Sequence, residues 1–188
     1  EAADANVLHS QSGERLTAQY PEALWAPSPN YSRGRREPVR LIVIHITDGQ
    51  PRTDRCVARF QQAKTKAAPH FVVGQAGDVV QLVNTGDRAW HDSGRNGASV
   101  GIEHVARTPG ELGPDDAGLA LTEEQLAASA VLVSWLLGHL GLELDAVVPH
   151  CSNPESSHRD CGLDVAEGGI WPWARYRQMI EEELKKNG

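Results

Sequence analysis

The sequence predicts an α/β protein of one domain, with a central sheet flanked by helices. Three observations predict it. Leu41-Ile42-Val43-Ile44-His45 is a short, continuously apolar, β-rich run of the kind that forms a strand covered on both faces. Further β-rich runs alternate with stretches whose apolar residues recur at helical spacing, above all Thr122 to Leu140. The 188 residues, 40% hydrophobic and 23% charged, suit one domain with a full-sized core.

Residues 1–38 are expected to form an arm packed on a body of residues 39–188. Pro21, Pro27, Pro29 and Pro38 forbid a long helix in the arm, and Trp25 and Tyr31 are its expected anchors. The basic group Arg33, Arg35 and Arg36 is expected on a solvated face. After the strand at 41–45, Asp48-Gly49-Gln50-Pro51 reads as a turn. Thr53 then caps a helix to about Lys66, with Val57, Phe60 and Ala63 turned inward. His70 to Val73 and Val79 to Val83, divided by Gly74-Gln75-Ala76-Gly77-Asp78, predict a β-hairpin.

Ser99 to Val105 is the next strand. Alternation sends Glu103 and His104 to opposite sides and puts Gly101 beside Glu103, where its missing side chain leaves room for a substrate or metal. Thr108 to Gly118 reads as a surface loop. In the long helix that follows, Thr122 and Gln125 make a capping box, Leu126, Ala130, Val133, Leu137 and Leu140 form the apolar stripe, and Gly141 stops it. His139, inside this pattern, reads as structural. A final helix from about Pro172 to Lys186 presents Trp173, Tyr176 and Ile180 to the body.

A formal charge of −7 argues against nucleic acid as a partner, since phosphate contacts need a basic surface. The most apolar stretch, around Val131 to Leu140, is interrupted by Ser134, Gly138 and His139, so no membrane span is expected. The opening Glu1-Ala2-Ala3 fits a mature chain after removal of a secretory signal, and the expected location is secreted, cell-wall or periplasmic. A monomer is expected.

The chemistry concentrates downstream. Val148-Pro149-His150 and Ser157-His158-Arg159-Asp160-Cys161-Gly162 crowd two histidines and an aspartate into a Pro- and Gly-bounded segment that presents polar side chains. A catalytic zinc site takes three protein ligands and leaves a fourth position to water. A distant donor is therefore needed, and His45, ending the apolar run, is the obvious one. His45, His150 and Asp160 are the candidate ligands, because two neutral imidazoles and one carboxylate leave the ion net positive charge to acidify its water. Cys161 is the competing ligand. Cys151 and Cys161 each follow a candidate ligand, and are expected to pair and lock the loop ends, leaving Cys56 unpaired.

Five segments in order, Ile42-Val43-Ile44-His45, Pro69-His70-Phe71-Val72-Val73-Gly74, Ala89-Trp90-His91, Ser99-Val100-Gly101-Ile102-Glu103-His104 and His158-Arg159-Asp160-Cys161-Gly162, span roughly two-thirds of the chain. They resemble the zinc-dependent N-acetylmuramoyl-L-alanine amidases of type 2, relatives of the T7-type lysozymes and the peptidoglycan recognition proteins. The resemblance implies that family's central mixed β-sheet. It also implies a zinc ion (Zn2+) on His45, His150 and Asp160, and hydrolysis of the amide between N-acetylmuramic acid and L-alanine by zinc-bound water. Glu103, in the Gly-Ile-Glu position, matches the catalytic glutamate and is the expected general base. His158, where many members carry lysine, is expected to stabilise the oxyanion. Pro69 stands where some members place a tyrosine, so that contact is expected to be missing. Trp90, His91 and Asn96 resemble the loop facing glycan and peptide, Trp90 packing in the core being the alternative to substrate contact; His70 is expected behind the ligands or on the cleft wall, with maintenance of the fold as the alternative, and the implied partner is peptidoglycan or a muropeptide. The alternative is a peptidoglycan-recognition module that binds without cutting; such relatives typically lose a zinc ligand.

Overall fold

The computed structural model describes residues 8–9, 15–49, 51–110, 113–115, 117–156 and 169–187. In chain order the elements are β1 (Leu8–His9), β2 (Arg15–Leu16), β3 (Leu24–Trp25), β4 (Tyr31–Ser32), β5 (Leu41–Ile46), α1 (Thr53–Phe60), β6 (Phe71–Val73), β7 (Val79–Gln81), β8 (Arg88–Ala89), β9 (Ser99–His104), α2 (Glu123–Leu140), β10 (Val147–Pro149) and α3 (Trp173–Asn187).

Among the described residues the main sheet has six strands in the order β10-β5-β9-β6-β7-β3. It is mixed. β5 pairs in parallel with β10 and β9, β9 with β6, and β7 with β3, while β6 and β7 are antiparallel. The antiparallel pair is the hairpin read from the sequence. β5, apolar throughout and second from one edge, has Ile42, Val43 and Ile44 wholly buried. The edge strand β3 comes from the arm, which packs through the buried Trp25.

Alternation sorts the two faces. Ile42, Ile44, Ile46, Val100 and Ile102 join Leu126, Ala130, Val133 and Leu137 of α2 and Tyr176 and Ile180 of α3 in the larger core. Val72 and Val80, on the other face, pack with Cys56, Val57 and Phe60 of α1 in the smaller one. The Thr122 hydroxyl accepts the Gln125 N–H, which is half of a capping box. The other half, the Thr122 N–H donating to Gln125 Oε1, is absent: Oε1 is buried without a hydrogen-bond partner among the described residues, and Nε2 donates to the Val73 and Val105 carbonyls. Gly141, at φ +65, closes α2 in the left-handed conformation.

The first helix is shorter than the sequence predicts. It ends at Phe60, and Ala63 is exposed in a 3-10 turn over Ala63–Thr65. The reason lies in the arm: Ser28 Oγ and Asn30 Nδ2 donate to the Phe60 carbonyl, and Asn30 Nδ2 also to that of Gln62. These side chains satisfy the helix's last carbonyls, so the chain can turn away there. Arg35 departs from expectation too. It is half-buried, and it donates to the carbonyls of Thr85 (2.6 Å), Asn96 (3.3 Å), Gly97 (2.8 Å) and Ser99 (3.0 Å), clamping the segment between β7 and β9.

Candidate active site

The parallel strands β10, β5 and β9 deliver three chemically active residues to one end of the sheet. His45 is the penultimate residue of β5 and Glu103 that of β9, and the two are register partners, so their side chains leave the same face on strands about 4.8 Å apart. Val148 of β10 pairs with Val43, and His150 follows two residues on. The rings of His45 and His150 meet, their centroids 4.3 Å apart. This is the carboxyl end of the strands, where open α/β sheets place their ligands. A cleft of about 250 Å³ opens there, lined by His91, Asp92, Ser93, His150, Asn153, Glu155 and Ser156.

A third imidazole enters from the loop between β8 and β9. His91 Nδ1 lies 2.9 Å from His45 Nε2, and its own Nε2 lies 3.1 Å from Ser99 Oγ. The ring occupies the space over Gly101, where an added Cβ would collide with it. The room that Gly101 leaves is therefore filled by protein, not by substrate or metal. Burial keeps these rings neutral: it depresses His45 far below the usual histidine range, with the neighbouring His91 and His150 adding to the effect. His91 falls to about 3, again chiefly through burial.

Asp92, fully buried, joins the loop to the His150 turn. Its Oδ2 accepts from Arg95 Nε (2.6 Å), and its Oδ1 accepts from Asn153 Nδ2 (2.5 Å) and lies 3.4 Å from His150 Nε2. Burial alone would raise this carboxyl, but the His150 ring beside it and hydrogen bonds from Asn153 and Arg95 hold it down to about 2. Arg95 also donates to the His150 carbonyl and to Ser152 Oγ. Neither Asp92 nor Arg95 was picked out by the sequence; their adjacency to His91 was the available signal.

Other expected site residues have different work. His70 has no exposed surface, which leaves of its expected places the one inside the fold rather than the one on the cleft wall. Its Nδ1 accepts the Gly101 N–H at 3.0 Å, which puts the ring proton on Nε2, donating to the Asp87 carbonyl at 3.1 Å. Arg35 Nη2, 2.8 Å from the same Nε2, is then a close approach of two donors rather than a hydrogen bond. Asn96 does not offer its side-chain oxygen to a ligand, because Oδ1 accepts the backbone N–H groups of His91 and Asp92. Trp90 is half-buried, its Nε1 donating to Ser32 Oγ. His104, on the α2 face, donates from Nδ1 to the His45 carbonyl, while its Nε2 accepts from Ser129, whose oxygen accepts from Tyr176. His158, Asp160 and Cys161 lie outside the described residues, and with them the third candidate ligand and the Cys151–Cys161 pairing. Cys56 is buried on α1.

The donor chemistry present suits a divalent ion of intermediate softness. His45 and His150 supply two imidazoles in contact, and His45 Nδ1 makes no hydrogen bond to another described residue. His45 Nε2 and His91 Nδ1 approach to hydrogen-bonding distance, so these two nitrogens are engaged with each other. Two imidazoles and a carboxylate are thus gathered at the carboxyl ends of parallel strands, where open α/β sheets bind their ligands.

Comparison with known proteins gives the family. Residues 35–163 match Amidase_2, N-acetylmuramoyl-L-alanine amidase. N-acetylmuramoyl-L-alanine amidase A of Achromobacter lyticus is 28% identical over 89 residues, covering 46% of this chain and about half (49%) of the relative. Among solved structures, AmpD superposes with a TM-score of 0.65 at 23% identity, covering 85% of this chain and 95% of its own. AmiD of E. coli, solved with anhydro-N-acetylmuramic acid-L-Ala-D-γ-Glu-L-Lys, gives 0.60 at 18%, covering 93% and 65%. The chain belongs to the N-acetylmuramoyl-L-alanine amidase family, a family of peptidoglycan amide hydrolases.

Proposed function

We propose that this protein hydrolyses the amide between N-acetylmuramic acid and L-alanine in peptidoglycan, using a zinc ion held by His45, His150 and Asp160. The observation that carries the reading is the meeting of His45, Glu103 and His150 at the ends of three neighbouring parallel strands in a chain of this family. When bound, zinc supplies a Lewis acid that acidifies water and polarises the scissile carbonyl. Glu103 takes the proton of the attacking water and passes it to the departing amine. His158 donates an N–H to the oxyanion as the carbonyl becomes tetrahedral. Trp90, its indole held by Ser32, offers an aromatic surface to the glycan. In this reading residues 39–188 carry the chemistry and residues 1–38 brace them. The protein works as a monomer outside the cytoplasm, degrading wall material. Among the described residues no helix is long and apolar enough to cross a membrane.

The test is incubation with a defined muropeptide. Appearance of muramic acid with a free lactyl carboxyl and of a peptide with a free L-alanine amino group supports the amidase. Glu103→Ala is expected to lower turnover by about 10²–10⁴ with zinc content unchanged. Binding of the muropeptide without products would make the protein a recognition module instead, and undiminished turnover in Glu103→Ala would remove that residue from the mechanism.

A further inference from the structure

The hydrogen bonds around His91 fix where the ring protons sit. The Ser99 hydroxyl has one hydrogen, and it goes to the Arg95 carbonyl at 2.8 Å, since a carbonyl can only accept. Toward His91 Nε2 the same oxygen must therefore accept, which places the proton of the neutral His91 ring on Nε2. Nδ1 of His91 is then a lone pair, and the 2.9 Å contact runs from His45 Nε2–H to His91 Nδ1. A neutral His45 protonated on Nε2 keeps its lone pair on Nδ1.

The next residue does the same for the other ring. Asp92 Oδ1 faces His150 Nε2 at 3.4 Å, and a carboxylate there calls for N–H on that nitrogen, leaving Nδ1 as the atom that can offer a lone pair to a metal. Both outer partners are themselves held. Asn96 ties down the backbone N–H groups of His91 and Asp92, and Arg95 and Asn153 fix the Asp92 carboxylate.

We propose that the consecutive pair His91–Asp92 sets the proton position on both candidate ligands, so that His45 and His150 each bind metal through Nδ1. The inference rests on the zinc reading above and assigns His91 and Asp92 as positioning residues that act through the ligand rings rather than as ligands themselves. Outer partners of this kind orient the ligand ring and raise its basicity, and their loss typically weakens metal binding by about 10- to 100-fold.

The test is made on the full chain. Nitrogen-15 spectra of the metal-free protein near neutral pH are expected to show His45 and His91 as Nε2–H tautomers, and added zinc should perturb the Nδ1 resonances of His45 and His150. In chelator competition, His91→Phe, which keeps the ring but has no acceptor, and Asp92→Ala should each weaken zinc binding about 10- to 100-fold. His91→Gln, whose amide oxygen can accept, should recover part of the loss. An Nδ1–H tautomer at His45 or His91, coordination through Nε2, or zinc affinity within about twofold of the parent in both variants would overturn the inference while leaving the amidase reading in place. A parent chain that binds no zinc would end both.

Discussion

Gly101 makes the arrangement of the three imidazoles testable without metal or substrate. A Cβ at this position would lie 2.5 Å from Cγ and 2.7 Å from Cε1 of His91, and nearer still to Nδ1. The obstacle is a ring pinned by His45 and Ser99, not the loose end of a long side chain. Nor can the strand retreat, because β9 is hydrogen-bonded to β5 on one side and β6 on the other. In Gly101→Ala the ring must therefore withdraw by about 0.7 to 1.0 Å to reach an ordinary contact of 3.4 Å, stretching its bond to His45 beyond hydrogen-bonding range. Overpacking of this kind costs about 1–3 kcal/mol, which in a domain of this size lowers Tm by about 3–10 °C. Denaturant unfolding of the metal-free protein measures it. The decisive comparison is with His91→Ala: once the ring is gone, the added methyl has space, and Gly101→Ala should cost nearly nothing in that background. An equal cost in both backgrounds would mean that Gly101 does not make room for His91.

Three further outcomes are expected. Arg35→Lys should destabilise by about 2–3 kcal/mol in denaturant unfolding, because one ammonium cannot reach four carbonyls on the segment between β7 and β9 as the guanidinium does; a change below about 0.5 kcal/mol would refute the clamp. His70 is held neutral far below the usual histidine range, chiefly by burial, so below about pH 6.5 the unfolded chain binds a proton that the folded one refuses. Stability then falls with pH, and the advantage of the parent over His70→Asn should shrink between pH 7 and pH 5; a constant difference would count against a neutral His70. Finally, a ligand bound only by the folded state stabilises it by about 2.7 kcal/mol at one hundred times its dissociation constant, so EDTA should lower the Tm of zinc-loaded protein, and an unchanged melting curve would argue against zinc.

Elements governed by local chemistry were legible in the sequence. The unbroken apolar run at Leu41, the Thr122 cap and the αL glycine at 141 each carry their signal within a few residues. What was not legible depends on partners far away in the chain. Gln61 and Gln62 read as helix, yet Ser28 and Asn30, some 30 residues earlier, take the carbonyls that end it. Arg35 reads as a solvated charge until the carbonyls that converge on it are known, and burial brings its pKa down to about 10. His91 is expected to face glycan and peptide from its resemblance to the family's loop; that its ring packs over Gly101, ten residues on, and against His45, 46 residues back, shows only in the fold. Residue types and alternation thus foretold which side chains share a face, while the job of each depended on what arrived from the next loop.

Strand register is what turns these separated residues into one site. His45 and Glu103 stand opposite each other because β5 and β9 pair from Leu41↔Ser99 through Ile46↔His104 without a bulge. A slip of one residue would send Glu103 to the α2 side and bring the buried His104 into the cleft, so the hydrophobic alternation that fixes the register also fixes the chemistry. β10 meets a different demand, because its histidine must leave the sheet to face His45. Pro149 accomplishes this: with no N–H it cannot extend the ladder, an omission tolerable on an edge strand, and the chain turns at once into the 3-10 segment His150–Ser152. Replacing Pro149 with valine would remove that stop. The expected result is a longer pairing with β5, the His150 ring drawn away from His45, and weaker zinc binding in a protein whose overall stability is little changed. Zinc affinity equal to that of the parent would show instead that Arg95 and Asp92 hold His150 in place without help from the strand end.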